Sequence, residues 1–369
     1  MRDDDAMTRA LELGASVRTR TAPNPWVGCV LVAPDGVVVG EGATEPPGGR
    51  HAERVALDAA SDRARGATAY VTLEPCAHTG RTGPCAHALV DAGVARVVVA
   101  IVDPDRHVAG QGIEVLRAAG VTVEVGAGAE VAAASLAPYL HHRRTGRASC
   151  LLKLAVSLDG KVAAADGTSQ WLTGAAARAD VHRLRAESQA IVVGSGTALA
   201  DAPSLTVRDA PAPPRPPLRV LLDGRGRVAA DGPLFDPALA PTLVATTERA
   251  PASALDAWHA AGAKVEVLPA APDGGVDLRS LLALLGARDV LTALVEGGGT
   301  LAGAALAAGV VDRLVVYVAP VVLGERGHAG FATAGPDTLA DATRFALASS
   351  TPLDDDVRLE YRRVDAEVG

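Results

Sequence analysis

The sequence predicts an α/β protein of two domains, each carrying its own chemical site. Three observations lead there. A chain of 369 residues exceeds the usual single domain. Short apolar runs alternate with stretches of helical periodicity along its whole length. The two halves carry different motifs with no internal repeat, His and Cys in the first and glycine-rich turns in the second.

The elements follow in order. Residues 7–17 place apolar side chains at helical spacing, with Asp3, Asp4 and Asp5 near the positive end of the helix dipole. Apolar runs at 27–32 and 37–40 flank Pro34-Asp35-Gly36, a hairpin turn signal. A helix begins at His51 and runs to about residue 64. A strand over 69–73 leads to Pro75-Cys76, Cys85 opens a helix to 91, and a strand over 96–102 follows. Helix 112–119, strand 121–125 and helix 129–140 complete the first half. Residues 141–147, rich in His and Arg, read as a helix end and solvated linker, which sets the domains at 1–146 and 147–369. In the second half strands are expected at 151–156, 190–193, 218–222, 242–246, 264–268, 291–295, 314–318 and 358–363, with helical stretches between several of them. Residues 209–217 hold five prolines in nine positions and form an exposed loop.

The first half carries His51-Ala52-Glu53, then Pro75-Cys76 and Cys85. One imidazole and two thiolates are three of the four ligands of tetrahedral Zn²⁺, and a water can take the fourth place. Glu53 can carry that water's protons without occupying the metal. The order His-x-Glu, Pro-Cys, Cys is that of the nucleobase deaminases, although their usual Cys-x-x-Cys is replaced here by eight intervening residues. Two cysteines could also be buried apolar residues, but all three elements in this order are improbable by chance. His78 and His87 are competing imidazoles. His78 lies in the turn between the thiols, within reach of a substrate, and His87 falls on the following helix as packing or surface.

Composition narrows the partners. Net charge is −8, only 3% of residues are aromatic, and no basic block could track a phosphate backbone, so nucleic acid is disfavoured. Four cysteines, two of them claimed by metal, indicate no disulfide framework. No apolar run reaches ~18 residues and no cleavable signal opens the chain. A soluble cytoplasmic protein is expected, with no membrane partner.

In the second half Glu296-Gly297-Gly298-Gly299-Thr300-Leu301 joins a buried strand to a helix over 301–308. Glycines there let backbone amides approach an anion at the helix N-terminus, which suits a pyrophosphate. Such turns are often only turns, and this one is not the Gly-x-Gly-x-x-Gly of a Rossmann fold. A second glycine turn, Gly194-Ser195-Gly196-Thr197, leads to Asp201 and Arg208. Of 35 basic residues only Lys153, Lys161 and Lys264 are lysines, and two of these lie in one short segment. That clustering points to a site needing a compact ammonium. With Lys153, Arg185 and Arg208 to meet phosphates, a dinucleotide and a phosphorylated substrate fit the second half.

With these residues in hand the chain resembles, over nearly its whole length, the bifunctional riboflavin-biosynthesis deaminase/reductase family. The resemblance is carried by Pro23-Asn24-Pro25-x-Val27-Gly28, His51-Ala52-Glu53 and Thr72-Leu73-Glu74-Pro75-Cys76-x-His78-x-Gly80-Arg81-Thr82-x-Pro84-Cys85. In the second half it rests on Leu152-Lys153-Leu154-Ala155-x-Ser157-Leu158-Asp159-Gly160, Ser169-Gln170-Trp171, Asp201-x-Pro203-x-Leu205-Thr206-Val207-Arg208 and Glu296-Gly297-Gly298-x-Thr300-Leu301. It implies a cytidine-deaminase-like α/β/α domain followed by a dihydrofolate-reductase-like α/β domain. It further implies zinc-dependent deamination of 2,5-diamino-6-ribosylamino-4(3H)-pyrimidinone 5′-phosphate, then NADPH-dependent reduction of the ribosyl chain to give 5-amino-6-ribitylamino-uracil 5′-phosphate. On this resemblance His51, Cys76 and Cys85 are the zinc ligands and Glu53 the catalytic proton shuttle. Ala155, Trp171, Thr197, Asp201, Gly298, Gly299, Thr300, Leu301, Ala302, Gly303 and Ala304 would meet NADPH. Asn24, Arg81, Lys153, Ser169, Arg185, Leu205, Arg208 and Glu296 would meet substrate. A homo-oligomer through the reductase domain is also implied. Residues 209–256 match almost nothing.

Two rival readings remain. A nucleic-acid base deaminase would want a basic groove bearing aromatics, which this acidic, aromatic-poor chain lacks. A binding protein with structural zinc would want four protein ligands, and the motif offers three.

Overall fold

The computed structural model describes residues 1–77 and 83–364 in two units, Met1–Gly146 and Arg147–Gly369. The first unit runs α1 (Asp3–Ser16), β1 (Gly28–Val32), β2 (Val38–Ala43), α2 (Ala52–Ala60), β3 (Thr68–Val71), α3 (Cys85–Asp91), β4 (Arg96–Val99), α4 (Gln111–Ala118), β5 (Thr122–Val125), α5 (Ala129–Ser135) and α6 (Ala137–Thr145). Its strands form one sheet of order β2-β1-β3-β4-β5. The pairs made by β1 are antiparallel and those joining β3, β4 and β5 are parallel.

Small residues set the layer spacing that positions the site. On α2 Ala52, Ala56 and Ala60 are buried, and β2 answers them with Gly40 and Gly42. A Cβ on Gly42 would lie 2.2 Å from the Ala52 carbonyl oxygen, and one on Gly40 would lie 2.1 Å from that of Ala56. The helix therefore lies directly on the strand, and His51 and Glu53 at its start are held by that close approach. On α1 the three aspartates occupy the first turn, where the dipole favours them. Ala6, Met7 and Ala10 of the same helix pack with Val30, Tyr70 and Val98.

Two expectations in this half need correction. The helix expected over 129–140 is two helices divided at Leu136, with Pro138 in the first turn of α6, where its missing N–H has no intrahelical partner to lose. The expected linker is mostly helix, because α6 continues to Thr145 and ends at Gly146, φ +71°. His142, Arg143 and Arg144 in its last turn suit the negative end of the dipole.

The second unit runs β6 (Ser149–Ser157), β7 (Lys161–Ala163), α7 (Ala175–Ala186), β8 (Ala190–Gly194), α8 (Ser195–Asp201), β9 (Leu218–Leu222), β10 (Thr242–Thr246), α9 (Ala252–Ala260), β11 (Lys264–Val267), α10 (Leu278–Gly286), β12 (Thr292–Glu296), α11 (Gly299–Ala307), β13 (Val311–Ala319), β14 (His328–Ala329), β15 (Phe345–Leu353) and β16 (Asp356–Arg363). Nine strands make one sheet of order β11-β10-β9-β8-β12-β6-β13-β16-β15. It is parallel from β11 to β13 and antiparallel through β16 and β15. Strand alternation divides the core. Leu152 and Leu154 of β6, Val192 of β8 and Val295 of β12 face α10 and α11, whereas Leu151, Ile191 and Leu294 face the cluster of Val181, Leu184 and Trp258.

Three strands were not anticipated. β7 and β14 pair only with each other and are too short to show a period. β15 is mostly exposed and mixes small, polar and proline residues after Phe345, and eight-residue β16 supplies the pairing that makes it a strand. A proline is tolerated there because β15 is the sheet's edge. The helix expected from 301 begins two residues earlier, at Gly299.

Candidate active sites

In the first unit His51 is the N-cap residue of α2, Cys76 stands on the loop after β3, and Cys85 is the first residue of α3. Their ligand atoms all lie within 4.8 Å of one another. His51 Nδ1 is 3.6 Å from Cys76 Sγ and 3.5 Å from Cys85 Sγ, and the Cys85 backbone N–H donates to Cys76 Sγ at 3.4 Å. The Cys85 thiol and the His51 imidazole draw Cys76 well below the ordinary thiol range, and the same thiol–thiol bond with burial pushes Cys85 up. A cation held between them would favour the thiolate form of both. A borderline-soft divalent metal fits one imidazole and two thiols with a fourth position open, as zinc does.

Glu53, in the first turn of α2, is only 4% exposed. Burial first, and the neighbouring Cys76 thiolate second, push its carboxyl up to about 7. A carboxyl at that value exchanges protons near neutrality.

Beside these groups lies a cavity of about 170 Å³ lined by Asn24, Glu53, Glu74, Asp103, Tyr139 and Arg143, among others. Glu74 accepts backbone N–H groups of Gly110 and Gly112, each at 2.9 Å, so its work is to hold the loop that starts α4. Asp103 and Tyr139 escaped sequence reasoning. The Tyr139 hydroxyl donates to Asp103 at 2.9 Å, and burial pushes the Asp103 carboxyl up. Arg143 stacks 5.0 Å over the Tyr139 ring and pairs with Asp105 at 3.2 Å. The only sequence signal for them was an acidic Asp-Pro-Asp after a strand. His87 is exposed on α3. His78 and Arg81 lie outside the described residues.

In the second unit a cavity of about 1620 Å³ opens at the carboxyl ends of the central strands. Lys153 on β6 and Glu296 on β12 are register partners. Arg185 of α7 holds Glu296 through both oxygens, at 2.6 and 2.9 Å, and donates to the Thr206 carbonyl at 3.1 Å. Burial alone would raise the Glu296 carboxyl, but Arg185 and then Lys153 outweigh it and hold it below its usual range. Burial lowers the Lys153 ammonium, with Glu296 opposing. Ser169, Leu205 and Arg208 line the same cavity, and the Arg208 backbone N–H donates to His182 Nδ1 at 3.1 Å.

Ala155, Trp171, Thr197 and Asp201 also line it, as do Gly298, Gly299, Thr300, Leu301 and Ala304. Trp171 is 72% exposed with the Arg178 guanidinium 4.7 Å above its ring. The glycines of the turn divide by role. A Cβ on Gly298 would meet nothing within 4 Å, so open space faces it, whereas one on Gly299 would stand 2.0 Å from the Ala329 carbonyl oxygen. Ala302 and Gly303, expected beside the cofactor, do not line the cavity. Ala302 is fully buried in the core, and a Cβ on Gly303 would lie 2.4 Å from the Ala332 carbonyl oxygen, so helical periodicity turns both away from the cavity.

Comparison with known proteins gives two family matches. Residues 148–359 match the RibD C-terminal domain, and residues 1–101 match the cytidine and deoxycytidylate deaminase zinc-binding region. The riboflavin biosynthesis protein RibD of Chlamydia pneumoniae is 44% identical over 96% of this chain and 94% of its own length. That of Escherichia coli is 42% identical over 97% of this chain and 99% of its own. Among solved structures, Acinetobacter baumannii RibD matches with a TM-score of 0.87 at 39% identity, covering 98% of this chain and 99% of that one. A Thermotoga maritima diaminohydroxyphosphoribosylaminopyrimidine deaminase/5-amino-6-(5-phosphoribosylamino)uracil reductase matches with 0.86 at 31% identity and the same coverage.

Proposed function

We infer the chemistry of each half from one premise: the chain belongs to the RibD family, the bifunctional deaminase/reductases of riboflavin biosynthesis. Its first part is a cytidine-deaminase-like zinc-binding domain and its second a RibD reductase domain. We propose that residues 1–146 deaminate 2,5-diamino-6-ribosylamino-4(3H)-pyrimidinone 5′-phosphate and that residues 147–369 reduce the ribosyl chain of the product with NADPH, giving 5-amino-6-ribitylamino-uracil 5′-phosphate. The observation that carries the first half is the donor set of half-buried His51 with buried Cys76 and Cys85, beside a carboxyl held up to about 7.

His51, Cys76 and Cys85 would hold zinc, which when bound supplies a water acidic enough to attack near neutrality. Glu53 takes one proton of the attacking water and gives it to the ring nitrogen, then takes the second from the hydroxyl now on the ring carbon and gives it to the amino group, which leaves as ammonia as the carbonyl forms. Asn24 and the Asp103–Tyr139 pair line the space left for the pyrimidine. The purified chain should carry one zinc per chain, falling toward none in Cys85→Ser; a Cys85→Ser protein that keeps full zinc removes Cys85 from the ligand set.

In the second half the Gly298-Gly299-Thr300 turn at the start of α11 suits a pyrophosphate, since its two glycines carry no side chain and its amides stand at the positive helix end. Ala155 and Trp171 would border the nicotinamide, and Lys153, Arg185, Arg208 and Glu296 the sugar phosphate. NADPH, when bound, would supply a hydride to the ribose C1; opening of the sugar ring beforehand leaves the ring oxygen in need of a proton, and Lys153, which lines the cavity opposite Glu296, would supply it. Gly298→Val directs a branched side chain into the open space and should weaken NADPH binding by roughly 10–100-fold, the loss of one or two charge-assisted hydrogen bonds. Unchanged NADPH affinity in that variant would move the pyrophosphate elsewhere.

No helix among the described residues is long and apolar enough to cross a membrane; with four free cysteines and no disulfide among them, the cytoplasm is the compartment that fits. The edge strand β15, with Leu347 57% exposed, suits pairing between reductase domains in a homo-oligomer. The direct test of the whole reading is NADPH consumption by purified protein supplied with the pyrimidinone phosphate. Oxidation of NADPH that depends on substrate and stops with a zinc chelator supports it, and oxidation indifferent to the chelator overturns the deaminase half.

A further inference from the structure

The loop that carries Arg208 is held in a conformation its own residues do not favour. Ala202, Leu205 and Asp209 lie in the left-handed region, at φ +41°, +50° and +53°, where a Cβ crowds the backbone and a bulky residue such as leucine is rarely found. Such a conformation persists only where the surroundings over-determine it, and it gathers at sites that need their groups fixed in advance. Here the ties come from distant segments. Leu205 is buried in one cluster with Ala177, Val181 and Leu184 of α7. The hydroxyls of Ser204 and Thr206 share a hydrogen bond at 3.1 Å, and the Arg219 guanidinium donates to the Ser204 carbonyl at 3.4 Å. α7 supplies two more ties. Arg185 donates to the Thr206 carbonyl at 3.1 Å, and three residues earlier on the same helix face His182 Nδ1 accepts the Arg208 backbone N–H at 3.1 Å. Arg185, Leu205 and Arg208 line the large cavity, whereas His182 is buried and does not. His182 therefore acts on the cavity through the backbone of Arg208.

The direction of that bond fixes the state of the ring. Nδ1 accepts only when it carries no proton, so the imidazole is neutral with its proton on Nε2. Burial first, then the Arg185 and Arg208 cations, hold the imidazole below its ordinary value, with Glu296 and Asp209 opposing. A ring protonated at both nitrogens would meet the Arg208 N–H donor to donor. The tie is thus complete at neutral pH and is lost as pH falls through the imidazole's depressed value, below about 6.5.

We propose that His182 is a positioning residue of the reductase: its neutral imidazole fixes the backbone of Arg208 so that the guanidinium stands ready for the substrate's phosphate, and substrate affinity in this half depends on that bond. The proposal rests on the reading of Arg208 as a substrate contact. A phosphate is held best by a guanidinium already in place, because ordering a loose loop on binding offsets part of what the charge-assisted bonds contribute. The hydride step does not pass through Arg208, so the effect falls on KM and not on kcat.

NADPH oxidation by the full chain with the deaminated substrate, 5-amino-6-(5-phosphoribosylamino)uracil, gives both constants. His182→Leu removes the acceptor and should raise the substrate KM roughly ten-fold, with kcat within about three-fold of wild type. His182→Asn offers an amide oxygen as acceptor that does not titrate, and should keep KM within about three-fold at neutral pH. From neutral pH to about pH 5, wild-type KM should rise several-fold relative to that of His182→Asn, a ratio from which the substrate phosphate's own titration at about pH 6 cancels. NADPH affinity, measured by calorimetry, reports that the second unit is folded; should the leucine variant lose it, the pH ratio of wild type to asparagine decides alone. A folded leucine variant with wild-type KM, a loss that falls on kcat, an asparagine variant as impaired as the leucine one, or a ratio level with pH overturns the proposal. Unchanged KM in Arg208→Ala overturns the reading of Arg208 as a substrate contact, and the proposal with it.

Discussion

Glu53→Gln is expected to lower deamination about 10²–10⁴-fold, the usual worth of general acid–base catalysis, with zinc content and NADPH-dependent reduction unchanged. The amide has the same shape and fills the same buried place on α2, so the packing of Ala52 and Ala56 on β2 is untouched. What disappears is a carboxyl that burial and the Cys76 thiolate hold up to about 7, a value at which it takes and returns a proton at neutral pH. Ammonia release with the pyrimidinone phosphate measures the loss, and metal analysis checks that the site is intact. Activity within a few-fold of wild type would remove Glu53 from the reaction.

Lys153→Met should cut reduction by a similar ~10²–10⁴ while leaving NADPH affinity within a few-fold of wild type. Methionine keeps the stem of the side chain and lacks the ammonium. Glu296 stays paired with Arg185 through both oxygens, so no buried carboxylate is stranded and the fold should hold. Lys153→Arg separates the two roles open to the residue. A guanidinium keeps the charge but does not release its proton, so an arginine variant as slow as the methionine one marks Lys153 as a proton donor. An arginine variant near wild-type turnover would leave it only the work of attracting the substrate phosphate.

The catalytic groups were legible in the sequence because their chemistry is local. His51 and Glu53 lie two positions apart at one helix start and Cys85 at another, and the Gly298 turn joins a strand directly to a helix. Residue type and spacing therefore carry the argument wherever one turn presents the whole group. The α/β alternation was legible for the same reason, since β6, β8 and β12 are apolar runs buried on both faces. Whatever needs partners from distant segments was not. Asp103 meets Tyr139 across 36 positions of chain. β15 is a strand only through the hydrogen bonds of β16, its own residues being mostly exposed and including Pro352. The same division runs through the glycine turn: the sequence alone determined that Gly298, Gly299, Ala302 and Gly303 lie together at a helix start. Only the tertiary structure decided that Gly298 faces open space while Ala302 and Gly303 face the core and residues 329–332, because which side of a helix meets ligand depends on what the rest of the chain packs against the other.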